Sequence, residues 1–384
     1  MKPVRIALFT PFSPTIGGGS TIFRSLIPHL AGAEVRWFYL AGSKVDFPNS
    51  TYLGPSALGG SFVADALNSA KLYILQRFQP VERYVRAIQE WAPDIVWVNA
   101  MNEGLLVGKL CLDAAYKLHV SVHDDPRGLA IKSRRYRHLA HFIDKCNCLL
   151  LKRANTSDVV SEAMRFYYKD RYGVNSGVVY RYIAEPTFAV AKPATGSTIL
   201  VGHVGSAYSM PEVAAFLGAL RKIEETDGVR FKVLTFGKPP FSKIAGGFPG
   251  LVENCGDVSE REAVERLQQC AFVYSMYSFN RRHRIFRGTS QPTKMSTYLM
   301  AARPIFAHCP QGSSMIDFVT RFKVGTCVTS LDQDALVEGI RSILKFNLEF
   351  AEVQRAIEHY CGRRNLAYLE DCFGLNQAGL DMAM

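Results

Sequence analysis

Short runs of consecutive apolar residues alternate with longer stretches of helical spacing along nearly the whole chain of 384 residues. Clear examples are VRIALFT at residues 4–10, PDIVWVNA at 93–100 and TILVGHVG at 198–205. A strand that is apolar throughout is covered on both faces, as in a parallel sheet flanked by helices. The alternation therefore predicts an α/β fold, in which helices connect parallel strands.

The alternation is interrupted between residues 181 and 197, where RYIAEPTFAVAKPATGS contains two prolines and many small residues. A chain of this length suits two domains of about 150–200 residues each. We expect an N-terminal domain over residues 1–185, completed by a C-terminal helix over about 358–384, and a C-terminal domain over 196–357. Two open α/β halves would place a ligand in the cleft between them, at the carboxyl ends of the strands.

The balance of charges predicts an acidic partner. Lys and Arg outnumber Asp and Glu by 45 to 34, which gives a formal net charge of +11. Such a charge suits nucleic acid, anionic lipid or a phosphorylated small molecule. No nucleic-acid recognition motif occurs in the sequence, so we expect no nucleic-acid partner.

Cysteine usage and the amino terminus predict the compartment. The nine cysteines include no CxxC pair and no metal-ligand spacing, which is typical of reduced thiols. The apolar run in MKPVRIALFTPF is too short for a signal peptide, and no run reaches about 18 apolar residues. We therefore expect a cytoplasmic protein without a membrane span.

The stretch QPTKMSTYLMAARPIFAH at residues 291–308 places a lysine at the start of a short helical pattern that leads into a strand. The first turn of a helix has unpaired N–H groups and a partial positive charge, which suit a phosphate. Lys294 is either an ordinary surface lysine or part of a phosphate-binding site. This stretch alone leaves both interpretations open.

Several individually weak motifs occur in a characteristic order. They are PFSPTIGGGS after the first strand, DVVSEAMRFYYKDRYGVNSGVVYRYI, ILVGHVG, and VENCGDVSEREAVERLQQCAFVYSMYS followed by QPTKMSTYLMAARPIFAH. In this order they resemble glycosyltransferases of the GT-B type, in particular family 4 enzymes of bacterial polysaccharide synthesis. The resemblance implies two Rossmann-like, doubly wound parallel-sheet domains facing across a cleft. It also implies that the C-terminal domain binds the nucleotide-sugar donor.

The resemblance places Lys294 beside the donor diphosphate, and Arg284 and Arg287 in RRHRIFRG are expected to add positive charge there. Family 4 enzymes usually carry two glutamates at the positions that Thr289 and Thr297 occupy here. The second glutamate commonly binds the nucleotide ribose, so Thr297 is the expected ribose contact.

Further donor contacts are expected after the first strand of each domain. The family's Arg and Lys after the VG strand are missing, and His203 and Tyr208 are the nearest matches, beside Gly205. In GGGS at residues 17–20, Gly18 and Gly19 permit close approach of the backbone to a ligand.

Candidate catalytic residues follow two strands of the N-terminal half. His123 and Asp124 come at the end of one predicted strand, with Asp125 next to them, and Glu103 follows another. The resemblance implies that His123 contacts the transferred sugar. In an inverting enzyme one of these side chains would act as the general base, whereas a retaining enzyme needs none. The residues alone leave both inversion and retention open, and the resemblance favours retention.

Residues 131–153, IKSRRYRHLAHFIDKCNCLLLKR, combine basic and apolar side chains. They form either an ordinary helix with a solvated basic face or a surface helix that contacts an anionic membrane. A lipid-linked acceptor would make the second interpretation useful.

We expect a metal-independent, hexosyltransferase-like glycosyltransferase of cell-surface polysaccharide synthesis, cytoplasmic or peripheral on the inner face of the cell membrane. It would move a sugar from a nucleotide-sugar donor to a glycan or lipid-linked acceptor. No metal or other cofactor is expected, because Lys, Arg and helix-start amides can take the place of a cation. The alternative is a non-catalytic GT-B-like subunit that binds a nucleotide or glycan; a nucleotide-sugar epimerase is a third interpretation.

Overall fold

A computed structural model of the protein describes residues 2–58, 60–133, 136–184, 198–237 and 246–375. Most of the predicted linker, the end of the predicted C-terminal helix, and Arg134 and Arg135 lie outside the described residues. The chain divides into two compact units. Unit 1 comprises Met1–Ile183, Arg282–Gln291 and Tyr360–Met384, and unit 2 comprises Ala184–Arg281 and Pro292–His359.

All strands of the described residues pair in parallel. They are β1 Val4–Thr10, β2 Ala33–Tyr39, β3 Ser50–Tyr52, β4 Ile95–Asn99, β5 Lys117–Val122, β6 Thr156–Val159, β7 Gly177–Val178, β8 Thr198–Val204, β9 Arg230–Phe236, β10 Val252–Asn254, β11 Phe272–Met276, β12 Ile305–His308 and β13 Gly325–Val328.

The α-helices of the described residues occupy the connections between strands and the C-terminal part of the chain. They are α1 Gly18–Leu26, α2 Phe62–Ser69, α3 Gln79–Glu90, α4 Glu103–Asp113, α5 Pro126–Lys132, α6 Ala140–Arg153, α7 Glu162–Tyr172, α8 Met210–Asp227, α9 Glu260–Leu267, α10 Arg284–Thr289, α11 Lys294–Met300, α12 Ser314–Phe322, α13 Gln333–Leu344, α14 Phe350–Cys361 and α15 Arg364–Phe373.

Local chemistry accounts for several helix ends. Pro80 lies in the first turn of α3, where its missing N–H costs no hydrogen bond. The side chains of Ser161 and Asp125 cap α7 and α5 by accepting hydrogen bonds from backbone N–H groups. Gly173 ends α7 with a φ of 70°, a left-handed conformation that glycine adopts without strain.

Each unit is a doubly wound sheet with one point at which the strand order reverses. In the described residues of unit 1 the order is β3-β2-β1-β4-β5-β6-β7, so the chain changes direction between β1 and β4. In those of unit 2 the order is β10-β9-β8-β11-β12-β13, with the change between β8 and β11. Ligands of such sheets bind at the carboxyl ends of the strands beside this point.

The segment Arg282–Gln291 belongs to unit 1, although the predicted boundaries left it in the C-terminal domain. Its helix α10 packs against α5, where a Cβ built on Gly128 would lie 2.9 Å from Ile285 Cγ2. At its end the Ser161 hydroxyl donates a hydrogen bond to the carbonyl oxygen of Thr289. Packing between residues so far apart in sequence leaves no local pattern, which explains the difference.

Within the described residues, no helix is both long and apolar enough to cross a membrane.

Candidate functional site

The buried ammonium of Lys294 lies at the reversal point of the unit 2 sheet. Lys294 begins α11, as predicted, and its side chain is only 7% exposed. Its Nζ donates a 2.8 Å hydrogen bond to the carbonyl oxygen of Ser206, just after β8, and lies 4.9 Å from the ring centroid of Tyr208. Burial lowers its pKa to about 7. The residue is therefore not an ordinary surface lysine.

His203 joins Lys294 to the interior of unit 2. Its Nδ1 lies 2.9 Å from the carbonyl oxygen of Tyr274, which can only accept, so Nδ1 carries the proton. The other ring nitrogen, Nε2, is then an acceptor for Lys294 Nζ at 3.5 Å. Burial and the neighbouring ammonium hold the pKa of His203 well below its usual range. His203 is thus a neutral partner that positions Lys294.

Two further predicted residues surround this lysine. Tyr208 lies beside the Lys294 ammonium, and its ring is 5.3 Å from that of Tyr277. Gly205 adopts a φ of +72°, and its N–H donates to the carbonyl oxygen of Phe236 at 2.8 Å. Gly205 therefore shapes the turn after β8, while its own N–H is already bonded.

Thr297 is buried on α11, and its hydroxyl donates a 2.8 Å hydrogen bond to Glu260 Oε1. Glu260 is the first residue of α9, and sequence analysis missed it. The sequence feature that could have indicated Glu260 is the preceding Ser259, which caps α9. A carboxylate thus lies beside the threonine that stands at a family glutamate position.

In unit 1 the structure brings Gly19 and His123 together. A Cβ built on Gly19 would lie 3.1 Å from His123 Nδ1 and 2.9 Å from Phe12 Cζ, so a side chain here would crowd both rings. Gly18 begins α1 after Gly17, and among the described residues no side chain caps this helix.

The His123 imidazole packs on Phe23, with ring centroids 4.6 Å apart. Its Nδ1 is buried and has no hydrogen-bond partner among the described residues. Burial lowers the pKa of His123 to about 4, so the ring is neutral at pH 7.

The two aspartates after β5 differ in role. Asp125 caps α5 and also accepts a 2.8 Å hydrogen bond from the Tyr168 hydroxyl, so it is occupied by the fold. Asp124 accepts a 2.6 Å hydrogen bond from the Ser290 hydroxyl, and burial raises its pKa. Ser290 belongs to the Arg282–Gln291 segment, which Asp124 helps to hold in place.

Glu103 is fully buried at the start of α4. Its Oε1 accepts hydrogen bonds from the Ser56 hydroxyl at 2.8 Å and from the Ala57 N–H at 2.7 Å. Burial raises its pKa, and Oε2 has no partner in the described part of the chain. The contacts of Glu103 are those of a residue that anchors the 56–58 loop.

Arg284 and Arg287 lie on α10 in unit 1, whereas Lys294 lies in unit 2. Arg284 is exposed and Arg287 is buried. Lys294 and these two arginines were predicted to lie together at the donor diphosphate, but they belong to different units. The reason is that the segment that carries the arginines packs on α5 and α7.

The basic stretch at 131–153 turns most of its apolar side chains inward. Leu139, Ile143, Leu150 and Leu151 are buried. On the outer face of α6, Phe142 and Leu149 are 37% and 42% exposed. Lys145 and Lys152 are exposed on the same helix.

In the described ranges, no group of three or more His, Cys, Asp or Glu side chains could hold a metal ion.

Solved structures of other proteins match the chain over nearly its full length. HepE from Anabaena, solved in complex with UDP and glucose, matches with a TM-score of 0.67 and 13% identity, over 97% of this chain and 99% of that one. The α,α-trehalose 6-phosphate synthase of Burkholderia multivorans matches with a TM-score of 0.66 and 13% identity, over 99% and 100%. The lipopolysaccharide outer core galactosyltransferase WaaB, in its apo form, matches with a TM-score of 0.64 and 14% identity, over 97% and 100%.

No protein-family model and no curated protein matches the sequence. Because the sequence identities are only 13–14%, the likeness to these structures shows the fold and nothing further. Two Rossmann-like units of parallel sheet, matched along their whole length, confirm the predicted GT-B fold. The narrower resemblance to family 4 stays a prediction.

Proposed function

We propose that the protein is a glycosyltransferase that moves a sugar from a nucleotide-sugar donor to a glycan or lipid-linked acceptor. The observation that carries this proposal is the buried Lys294, placed at the carboxyl ends of β8 and β11 with a pKa lowered to about 7. Burying a lysine without an acidic partner is unfavourable, and such residues concentrate at functional sites. The likeness to HepE, solved with UDP and glucose, supports a nucleotide ligand.

In this proposal Lys294 stabilises the negative charge that develops on the leaving nucleoside diphosphate. The ammonium is shielded from water, where its interaction with a phosphate is stronger than in bulk solvent. His203 and Tyr208 hold it in position. Since this lysine supplies positive charge itself, the reaction is proposed to need no metal ion or other cofactor.

Unit 1 is proposed to bind the sugar and the acceptor. The imidazole of His123, whose buried Nδ1 has no hydrogen-bond partner among the described residues, is proposed to contact the transferred sugar. Gly18, at the exposed start of α1, leaves the backbone there open to close approach. Glu103 supports this site by holding the 56–58 loop.

We propose transfer with retention of configuration. The carboxylates considered as general bases are all engaged by the fold: Glu103 by a loop, Asp124 by Ser290 and Asp125 by α5 and Tyr168. In a retaining reaction the departing phosphate can accept the acceptor proton, so no such base is required.

The acceptor is proposed to be a precursor of a cell-surface polysaccharide, with the enzyme cytoplasmic and peripheral on the membrane. The outer face of α6 supports this proposal, because Phe142 and Leu149 lie exposed near Lys145 and Lys152. Apolar and basic side chains on one face suit an anionic bilayer.

Thermal-shift measurements with UDP, GDP, CDP and dTDP test the donor site. We expect one nucleotide to raise the melting temperature of the wild type and to have a much smaller effect on Lys294→Met. A nucleoside without phosphates should change the melting temperature of both proteins by the same amount. If no nucleotide stabilises the wild type, the proposed donor site is refuted.

A further inference from the structure

Two helices of unit 1 that lie far apart in sequence form a single basic surface. Helix α10 packs on α5 through Ile285 and Gly128, and Lys132 Nζ lies 4.0 Å from the ring centroid of Phe286. The hydrogen bond from Ser290 to Asp124 fixes the end of the same segment. We call the solvent-accessible part of these two helices, in which Arg284 is exposed and Arg127 and Lys132 are partly buried, the α5/α10 surface.

The α5/α10 surface is rich in cations. The sequences PRGLAIK of α5 and RIFRGT of α10 contain four basic residues and no acidic one. Among the described residues, Arg127, Lys132 and Arg284 form no ion pair. Like charges at this density repel one another, which favours binding of an anion.

Three acidic residues act on the cations of this surface without forming an ion pair with them in the described part of the chain. Asp144 lies near Arg127 and is paired with Arg171. Asp125 is buried and accepts hydrogen bonds from the Gly128 N–H and the Tyr168 hydroxyl. Asp124 accepts a hydrogen bond from the Ser290 hydroxyl, and burial raises its pKa. Its charge acts on Lys132 from a distance, without an ion-pair contact.

Lys132 and Arg284 each offer a cation to an anionic group. The ammonium of Lys132 is half-buried over Phe286, so its position is fixed by packing. Arg284 is exposed next to Ile285, and its guanidinium can bind two oxygens of one phosphate.

We propose that the α5/α10 surface binds a phosphate group of the acceptor, with Lys132 and Arg284 as its main contacts. Helix α5 begins three residues after His123, the residue proposed to contact the transferred sugar, and Lys132 is the last residue of this helix. The term acceptor rests on the proposed function, whereas phosphate binding by this surface can be tested without it. The acceptor class that fits is a phosphorylated sugar or a lipid that carries a sugar on a phosphate.

Glucose 6-phosphate in solution and phosphatidic acid in phosphatidylcholine vesicles are suitable probes, with glucose and pure phosphatidylcholine vesicles as neutral controls. Both probes carry a phosphate monoester, but only one is a lipid. Binding is measured at low salt with a saturating nucleoside diphosphate, so that the donor position is filled. The variants are Lys132→Gln and Arg284→Gln, with Arg86→Gln as the control at an exposed arginine of unit 1.

We expect the wild type to bind at least one phosphate probe and neither neutral one. Each of Lys132→Gln and Arg284→Gln should weaken this binding about tenfold, the size of one charge-assisted hydrogen bond, and Arg86→Gln should not. Binding of glucose 6-phosphate identifies a soluble acceptor. Vesicle binding identifies a lipid acceptor only where Lys132→Gln and Arg284→Gln reduce it, because the outer face of α6 is itself proposed to bind anionic bilayers.

The proposal is overturned if the wild type binds neither phosphate probe, if Arg284→Gln binds as tightly as the wild type, or if Arg86→Gln loses as much affinity. Arg284 is exposed, so its variant remains informative even if Lys132→Gln fails to fold. The nucleotide thermal shift reports on the donor site independently, so a failure of the proposed function is distinguishable from a failure here.

Discussion

The Thr297 hydroxyl donates a 2.8 Å hydrogen bond to Glu260 Oε1 in unit 2. The resemblance places a ribose-binding glutamate at position 297. In this protein the carboxylate beside position 297 belongs to Glu260 of the neighbouring helix α9. We propose that Glu260 supplies the acidic group that the resemblance places near the ribose.

Exchanging these two residues tests this relationship. Thr297→Glu alone places two carboxylates together, so we expect UDP, or whichever nucleoside diphosphate binds best, to bind more weakly by about 1–3 kcal/mol. Thr297→Glu combined with Glu260→Thr removes the repulsion and should restore affinity. Calorimetric titration of both variants and the wild type measures the effect. Equal affinities in all three proteins would show that the pair does not contact the nucleotide.

Most of the fold follows from local sequence patterns. Strands β1, β4 and β11 are covered on both faces, so each reads as an apolar run that is easily recognised. The edge strands β3 and β7 contain three and two residues and were not predicted, because such short elements carry no periodicity.

Features of the candidate site that follow from the order of strands and helices along the chain could be predicted. Features that depend on tertiary contacts could not. The start of α11 at Lys294 follows from the sequence, but the burial of this lysine depends on Ser206 and Tyr208, which are distant in the chain. The contact between Glu260 and Thr297 and the packing of α10 on α5 likewise arise only on folding.

The pKa of Lys294 predicts how stability changes with pH. It is lowered to about 7 from the ordinary value of 10.5, so between these values the unfolded chain holds a proton that the folded chain has released. Stability then rises with pH, by at most about 1.4 kcal/mol per unit. The unfolding free energy of the wild type relative to Lys294→Met should increase by on the order of 2 kcal/mol from pH 7 to pH 9.

Urea denaturation of both proteins at the two pH values measures this difference. Lys345→Met, at an exposed lysine of unit 2, is the matched control. A difference between the wild type and Lys294→Met that stays constant from pH 7 to pH 9 would contradict the burial of Lys294.

The contact between Gly19 and His123 predicts a specific steric defect. Gly19→Ala brings a methyl group to within 2.9 Å of Phe12 Cζ and 3.1 Å of His123 Nδ1, so the Phe12 ring must shift and the imidazole is pushed by a few tenths of an ångström. We expect the rate of sugar transfer to fall about tenfold or more, since small misplacements of a catalytic group are costly. Gly42→Ala is the control, because a Cβ there meets nothing within 4 Å.

Nucleotide affinity should change little in Gly19→Ala, since the donor nucleotide is proposed to bind unit 2. Steady-state kinetics and nucleotide titration separate the two effects. If Gly19→Ala and Gly42→Ala transfer sugar equally fast, the proposed site around His123 is wrong.

The exposed face of α6 predicts binding to anionic membranes. Lys145→Glu with Lys152→Glu replaces two positive charges by negative ones, and each basic residue near such a surface contributes about 1 kcal/mol. Co-sedimentation with phosphatidylglycerol vesicles should therefore fall sharply, while nucleotide affinity stays unchanged. Failure of the wild type to sediment with these vesicles at low salt would refute the membrane proposal.

Release of free nucleoside diphosphate from nucleotide sugars tests the central proposal most directly. A glycosyltransferase with its donor bound in unit 2 should slowly hydrolyse one UDP-, GDP-, CDP- or dTDP-sugar without an acceptor, and faster with one. Lys294→Met should reduce this rate by about 10²–10³, the effect of losing one group that stabilises transition-state charge. No release from any donor, conversion of one nucleotide sugar into another, or an unchanged rate in Lys294→Met would contradict the proposed function.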